Sequence, residues 1–205
     1  MFSPLPRIYL ASRSPRRREL LKQIGVQFDV LVLREHAGRG QDLDETPHPG
    51  EDPQTYVERV CREKAEAGWN RVLQRQLPRL PVLAADTTVC LGERIFGKPA
   101  NRADAIDMLK QLSGREHRVL TAVALAYETT VHFVLNENVV RFRPLEDEEI
   151  SHYVDTGESY DKAGAYAIQG RAAAFIPEML GSYTGVMGLP LYETATLLRR
   201  FQSRS

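Results

Sequence analysis

Residues 8–25, Ile8-Tyr9-Leu10-Ala11-Ser12-Arg13-Ser14-Pro15-Arg16-Arg17-Arg18-Glu19-Leu20-Leu21-Lys22-Gln23-Ile24-Gly25, read as a strand, a turn and a helix. The apolar run at 8–11 stops at Ser12. Ser14 then offers an N-cap and Pro15 a first-turn proline, which open a helix running to about Ile24, where Gly25 closes it. Residues 26–33 read as a second strand. The alternation continues with helical periodicity over 54–69 and a compact apolar strand over 81–85 that ends at Asp86. A helix follows over 102–112, then two β-rich runs, 118–127 and 131–142, that suit an antiparallel pair. Residues 146–155 suit a helix with acids in its first turn. The pattern then predicts mostly loop over 157–170, a strand over 172–177 and a last helix over 189–199. These elements predict one α/β domain over 1–205, with a mixed β-sheet, flanking helices and two lobes around a central cleft.

Composition narrows the function. The chain of 205 residues carries 27 Lys plus Arg against 27 Asp plus Glu, so no global basic field draws nucleic acid or an anionic membrane, and any anion site must be local. No stretch approaches the roughly 18 apolar residues of a membrane span. The first residues lack the apolar core of a secretory leader. Cys61 and Cys90 form no C-x-x-C or Cys/His cluster, which fits a reducing cytoplasm, and the histidines have no zinc-like spacing.

The informative residues are charges that break local rules. Arg16, Arg17 and Arg18 occupy the first turn of a helix, the positive end of its dipole, where cations are disfavoured and anions bind. Arg17 also falls on the apolar stripe of Leu20, Leu21 and Ile24, so it points inward. Lys64 shares a helical face with Val57, Val60, Cys61 and Gly68. It either snorkels to the edge or reaches an anion, and methionine would suit that stripe better than an unpaired ammonium. Asp86, with Thr87 and Thr88 beside it, either caps a turn or marks the strand end where open α/β sheets bind ligands. Gly92 to Lys98 spells G-x-x-x-x-G-K, but Pro99 follows where a phosphate-binding P-loop needs Ser or Thr and a helix start. Lys98 remains available as a point charge. The polar loop 34–52 has the length of a functional or mobile one, and Asp42, Asp44 and Glu45 concentrate carboxylates in it. Such acids, taken alone, suit solvent; with the inward cations they suit a Mg²⁺ or Mn²⁺ site completed by substrate phosphates.

Nine short blocks stand in one order across nearly the whole length of the chain. The first are Leu10-Ala11-Ser12-Arg13-Ser14-Pro15-Arg16-Arg17, Asp44-Glu45-Thr46-Pro47, Arg62-Glu63-Lys64-Ala65, Ala85-Asp86-Thr87 and Gly97-Lys98-Pro99. They continue in order with Asp161-Lys162-Ala163-Gly164, Ile168-Gln169-Gly170, Gly181-Ser182-Tyr183 and Val186-Met187-Gly188-Leu189-Pro190. By these blocks the chain resembles the Maf proteins, the septum-formation-inhibitor family of nucleotide pyrophosphatases, and the resemblance implies a Maf/ITPase-like fold, often as a homodimer. It also implies hydrolysis of nucleoside triphosphates to the monophosphate and pyrophosphate with a divalent metal cation. Asp86 would be the catalytic carboxylate and Glu45 would help to hold metal or water. Ser12, Arg17, Lys64 and Lys98 would hold the phosphates, and Thr87 would also contact the substrate.

The pairing of Arg16 with Gln169 implies a preference for dTTP, UTP and similarly shaped modified pyrimidines, because the branch acting on 7-methylguanosine triphosphate has an aromatic residue and a glutamate there. Two readings of other classes stand beside this one: a nucleotide-binding regulator of cell division without turnover, and a phosphatase cutting the β–γ bond. The chain departs from the family in a longer segment at 34–41 and in Gly185, where many members have asparagine.

Overall fold

A computed structural model describes residues 5–33 and 44–203. The elements, in chain order, are β1 (Ile8–Leu10), α1 (Pro15–Gln23), β2 (Phe28–Val30), α2 (Pro53–Gln74), β3 (Val82–Leu91), β4 (Arg94–Phe96) and α3 (Arg102–Leu112). Then come β5 (Glu116–Tyr127), β6 (Thr130–Arg141), α4 (Asp147–Asp155), β7 (Glu178–Leu180), α5 (Tyr183–Val186) and α6 (Leu191–Gln202). Short 3₁₀ turns lie at Ala163–Ala165 and Arg171–Phe175.

The strands form one mixed sheet in the order β2-β1-β3-β5-β6-β7, with β4 added to β3. β1 runs parallel to both β2 and β3, whereas β3, β5, β6 and β7 are successively antiparallel. One edge of β3 is paired to β5 throughout, from Val82–Ala126 to Cys90–Arg118. The other edge is paired to β1 only as far as Leu83 and to β4 only from Val89 onward. Between these partners the sheet is split among the described residues, and Asp86 and Thr87 lie in the split.

Strand alternation sorts the core. Val82, Ala84 and Cys90 face α2 and pack with Val57, Val60, Cys61 and Trp69. Gly68 allows α2 to come this close, since a Cβ there would lie 2.6 Å from Val82 Cγ1. The opposite face divides in two. Leu83 and Ala85 pack with Leu20, Leu21, Leu197 and Leu198 of α1 and α6, while Val89 packs with Leu109, Phe142, Ile150 and Tyr166. Thr87 sits at the break between those two clusters.

Several boundaries differ from the sequence reading. The strand does not end at Asp86: β3 runs five residues farther, to Leu91, so this carboxylate is in mid-strand. A charge there is tolerable because Lys64 pairs with it. The segment read as a strand at 172–177 is mainly a 3₁₀ turn over Arg171–Phe175, whose alanines are poor strand formers. Only Phe28–Val30 of the run at 26–33 is strand, and β4 and α5 were not anticipated. Ser14 does cap α1, accepting a hydrogen bond from Arg17 N. The segment 34–41 and Asp42 lie outside the described residues.

Candidate active site

The split in the sheet opens into a cleft of about 1060 Å³, walled by the turn after β1, α1, the middle of β3 and the segments around Lys98 and Gln169. Nine residues singled out from the sequence line it, Ser12, Arg16, Arg17, Glu45, Lys64, Asp86, Thr87, Lys98 and Gln169, whereas Arg18 and Asp44 do not.

On the α2 side, Lys64 projects from the helix between two carboxylates. Its Nζ lies 2.7 Å from Asp86 Oδ1 and 2.9 Å from Glu45 Oε1. Burial opposes the ammonium charge, but Asp86 and then Glu45 outweigh it, and the pKa of Lys64 is raised. Lys64 therefore reaches an anion, as one of the two sequence readings had it, and that anion belongs to the protein. Oδ1 of Asp86 is tied to Lys64, whereas Oδ2 has no hydrogen-bond partner among the described residues. Glu45 is placed by α2 as well. Tyr56 Oη donates to Glu45 O at 3.0 Å, and Arg59 Nη2 donates to Thr46 O at 3.1 Å. Arg59 also holds Glu51 through two hydrogen bonds, 2.7 and 2.9 Å long, and that contact draws the Glu51 carboxyl down to about 2. The thiol of Cys61, beneath Asp86, is pushed up to about 12 by burial and next by Asp86, so it stays protonated and inert.

On the α1 side, Arg17 is fixed by the chain far from it in sequence. Nε donates to Gly188 O at 2.7 Å, Nη1 to Ser12 Oγ at 3.3 Å and Nη2 to Thr87 Oγ1 at 3.1 Å. The Thr87 hydroxyl lies 3.0 Å from Thr121 Oγ1, and Thr121 donates to Gly185 O at 2.8 Å. One proton per hydroxyl fixes the direction of this chain: Thr121 uses its proton on Gly185, so Thr87 donates to Thr121 and accepts from Arg17. The Thr87 hydroxyl is thus spent on holding Arg17. Ser12 Oγ accepts from Arg17 and from Ser14 N at 3.2 Å, and its own proton remains for an incoming acceptor.

The third wall carries further cations. Arg16 is half-buried, has no hydrogen-bond partner among the described residues, and has its pKa lowered by burial and by Arg17. Lys98 is exposed. Lys162 donates to Tyr160 O at 3.2 Å, and its pKa is lowered by burial, then by Arg16. Lys162, within the Asp161-Lys162-Ala163-Gly164 block, is a cleft residue that the sequence pattern does not mark, since a lysine in a polar loop breaks no local rule. Gln169 is exposed to the cleft, and its amide also has no partner among the described residues.

No group of three or more His, Cys, Asp or Glu side chains suited to a metal occurs among the described residues. The two carboxylates sharing Lys64 nevertheless suit Mg²⁺ or Mn²⁺, which take one or two carboxylates and complete their shell with water and substrate phosphates.

The model of the Maf-like protein family matches residues 7–201. The dTTP/UTP pyrophosphatase of Aromatoleum aromaticum is 61% identical over 196 residues, covering 95% of each chain. The dTTP/UTP pyrophosphatase of Nitrosospira multiformis is 59% identical over 94% of this chain and 93% of its own. That of Dechloromonas aromatica is 55% identical, over 97% and 98%. Among solved structures, the Staphylococcus aureus Ham1 protein is similar over 66% of this chain and 71% of its own, at 15% identity and a TM-score of 0.44. With a family match over nearly its full length and relatives above half identity, the chain belongs to the Maf-like protein family.

Proposed function

We propose that this protein hydrolyses dTTP and UTP to the nucleoside monophosphate and pyrophosphate. The observation that carries this reading is one cleft lined both by a carboxylate pair, Asp86 and Glu45 at Lys64, and by the further cations Arg16, Lys98 and Lys162. The relatives' names, dTTP/UTP pyrophosphatase, support turnover over a binding role in cell division. A pure polyphosphate binder would also gain nothing from Asp86 facing its ligand.

In the reaction, water attacks the α-phosphorus, the bond to the α–β bridging oxygen breaks, and pyrophosphate departs. Asp86 accepts the proton of the attacking water on Oδ2, while Lys64 fixes the carboxylate through Oδ1. Asp86 and Glu45 would hold the Mg²⁺ or Mn²⁺, which when bound lowers the pKa of water and offsets phosphate charge. Arg17, held on three sides, presents a preset guanidinium to phosphate oxygens, and Ser12 donates its free proton beside it. Lys98 and Lys162 supply compact charges to the departing pyrophosphate, and Arg16 with Gln169 meets the base.

We further read the enzyme as one domain acting as a cytoplasmic homodimer without nucleic-acid partners. The neutral net charge supports the last point, and no helix among the described residues is long and apolar enough to cross a membrane. The test is a nucleotide panel with Mg²⁺ or Mn²⁺ that scores pyrophosphate and orthophosphate separately. Pyrophosphate released first from dTTP and UTP is the expected result. Orthophosphate released first, with diphosphate left, would overturn attack at the α-phosphorus, and full activity in excess chelator would overturn the metal.

A further inference from the structure

Gln169 sits on a turn that is held from behind. Tyr166 Oη lies 2.9 Å from His117 Nε2, both side chains being buried. One residue on, Ala167 N donates to Tyr153 Oη at 3.2 Å. Tyr153 Oη in turn donates to Glu158 Oε1 at 3.0 Å, and Glu158 Oε2 accepts from Arg171 N at 3.1 Å. A single carboxylate therefore grips the chain on both sides of Gln169, through Tyr153 before it and directly after it. Gly170 leaves room for that grip, because a Cβ there would come within 2.2 Å of Glu158 Oε1 and 2.5 Å of Oε2. The φ of Gly170 is −111°, so it is this close approach and not a left-handed backbone that calls for glycine.

We propose that Glu158, acting with Tyr153 and Gly170, is the positioning residue that sets the Gln169 amide for reading the base; this inference rests on the assignment of Gln169 to base recognition. An amide selects between carbonyl and N–H edges only if its plane is fixed, since a half-turn about its terminal torsion exchanges donor and acceptor. Among the described residues the Gln169 amide has no hydrogen-bond partner of its own. The place from which the amide reaches the base is set by the backbone that carries it, which Glu158 ties on both sides, so that a bound base edge need only select the amide's plane.

The test compares kcat/KM for dTTP and UTP with that for GTP in the wild type and in Gln169→Ala, Glu158→Ala, Glu158→Gln and Gly170→Ala. Glu158→Ala should lower the pyrimidine-to-purine ratio by about tenfold, with Glu158→Gln in between because its one carbonyl keeps one of the two contacts. Gly170→Ala should lower the ratio in the wild-type background and add little when Glu158 is already alanine, since the clash goes with the carboxylate. If Glu158→Ala fails to fold, Glu158→Gln and Gly170→Ala carry the same comparison. A ratio that stays at the wild-type value in Glu158→Ala or Gly170→Ala, or a uniform loss on all three nucleotides, overturns the positioning role while Gln169→Ala still collapses the ratio. A Gln169→Ala variant that keeps the preference, or a wild type that has none, overturns the base reading itself and this inference with it.

Discussion

Lys64 Nζ lies 2.7 Å from Asp86 Oδ1, and both side chains are almost wholly buried. The sequence alone placed an ammonium on an apolar stripe, where methionine would be the better occupant. With its partners known, the sign reverses. Lys64→Met should cost about 3–5 kcal/mol, the loss expected when one member of a buried ion pair is removed and the other is left uncompensated. Chemical denaturation at neutral pH measures this, and an unchanged midpoint would refute it. The pKa of Lys64 is raised in the folded state, so its contribution is whole below the unfolded value of about 10.4 and is lost as pH rises through the folded one. The difference between wild type and variant should narrow only in strong alkali.

Asp86→Asn should keep the fold, since asparagine fills the same mid-strand space and Lys64 retains Glu45 as a partner. Turnover should fall at least ~10²-fold, the lower end for loss of a general base, with nucleotide binding largely kept. Steady-state kinetics beside equilibrium binding separates the two. Wild-type turnover in this variant would remove Asp86 from the chemistry.

Thr87→Val should act through Arg17. Valine matches threonine in shape but breaks the link from Arg17 Nη2 to Thr121 and Gly185. The guanidinium then keeps its contacts to Gly188 and Ser12 and loses the one to Thr87, and KM for the triphosphate should rise about tenfold, the value of one hydrogen bond to a charged group. An unchanged KM would return Thr87 to a purely structural role.

How far the site could be read in the sequence follows from the range of its contacts. Arg17, Lys64 and Asp86 were legible because each puts a charge where local patterning wants none. The strand around Asp86 was cut short for the same reason, since a carboxylate reads as a stop until its Lys64 partner, 22 residues away, is seen. The spending of the Thr87 hydroxyl was invisible, because its partners Arg17 and Thr121 stand 70 and 34 residues away. Lys162 was passed over since a lysine in a polar loop breaks no rule. The fold class was recoverable from the alternation of periods, but the split edge of β3 depends on where β1 and β4 stop, which no single segment encodes.

His117 should govern part of the acid limb of stability. Burial among aromatic side chains pushes its pKa down to about 4, against a weaker upward pull from the Arg115 backbone. The folded value lies below the unfolded one of about 6.5, so the stabilising difference is complete above pH 6.5 and is lost as pH falls toward 4, where the unfolded chain takes up the proton first. His117→Gln, which can still hydrogen-bond Tyr166 Oη, should flatten the stability profile between those limits. An identical slope in both proteins would mean that other groups set the acid limb.

Gln169→Glu should reduce kcat/KM for dTTP and UTP by about ten- to a hundredfold and reduce that for GTP far less. Uracil and thymine present carbonyl acceptors on either side of one N–H donor. The Gln169 amide offers both a donor and an acceptor, and among the described residues neither is used by the protein. A glutamate of the same length keeps the acceptor and loses the donor, so a base carbonyl would face a carboxylate oxygen with no donor between them. An unmet pair of that kind costs about 1–3 kcal/mol, enough to produce the stated loss. Guanine offers an N–H edge to the carboxylate, so its nucleotide escapes the penalty. The measurement is the ratio of kcat/KM values in both proteins under one metal concentration. A pyrimidine preference equal to that of the wild type would place base selection elsewhere in the cleft, with Arg16 and Lys162 the next residues to change.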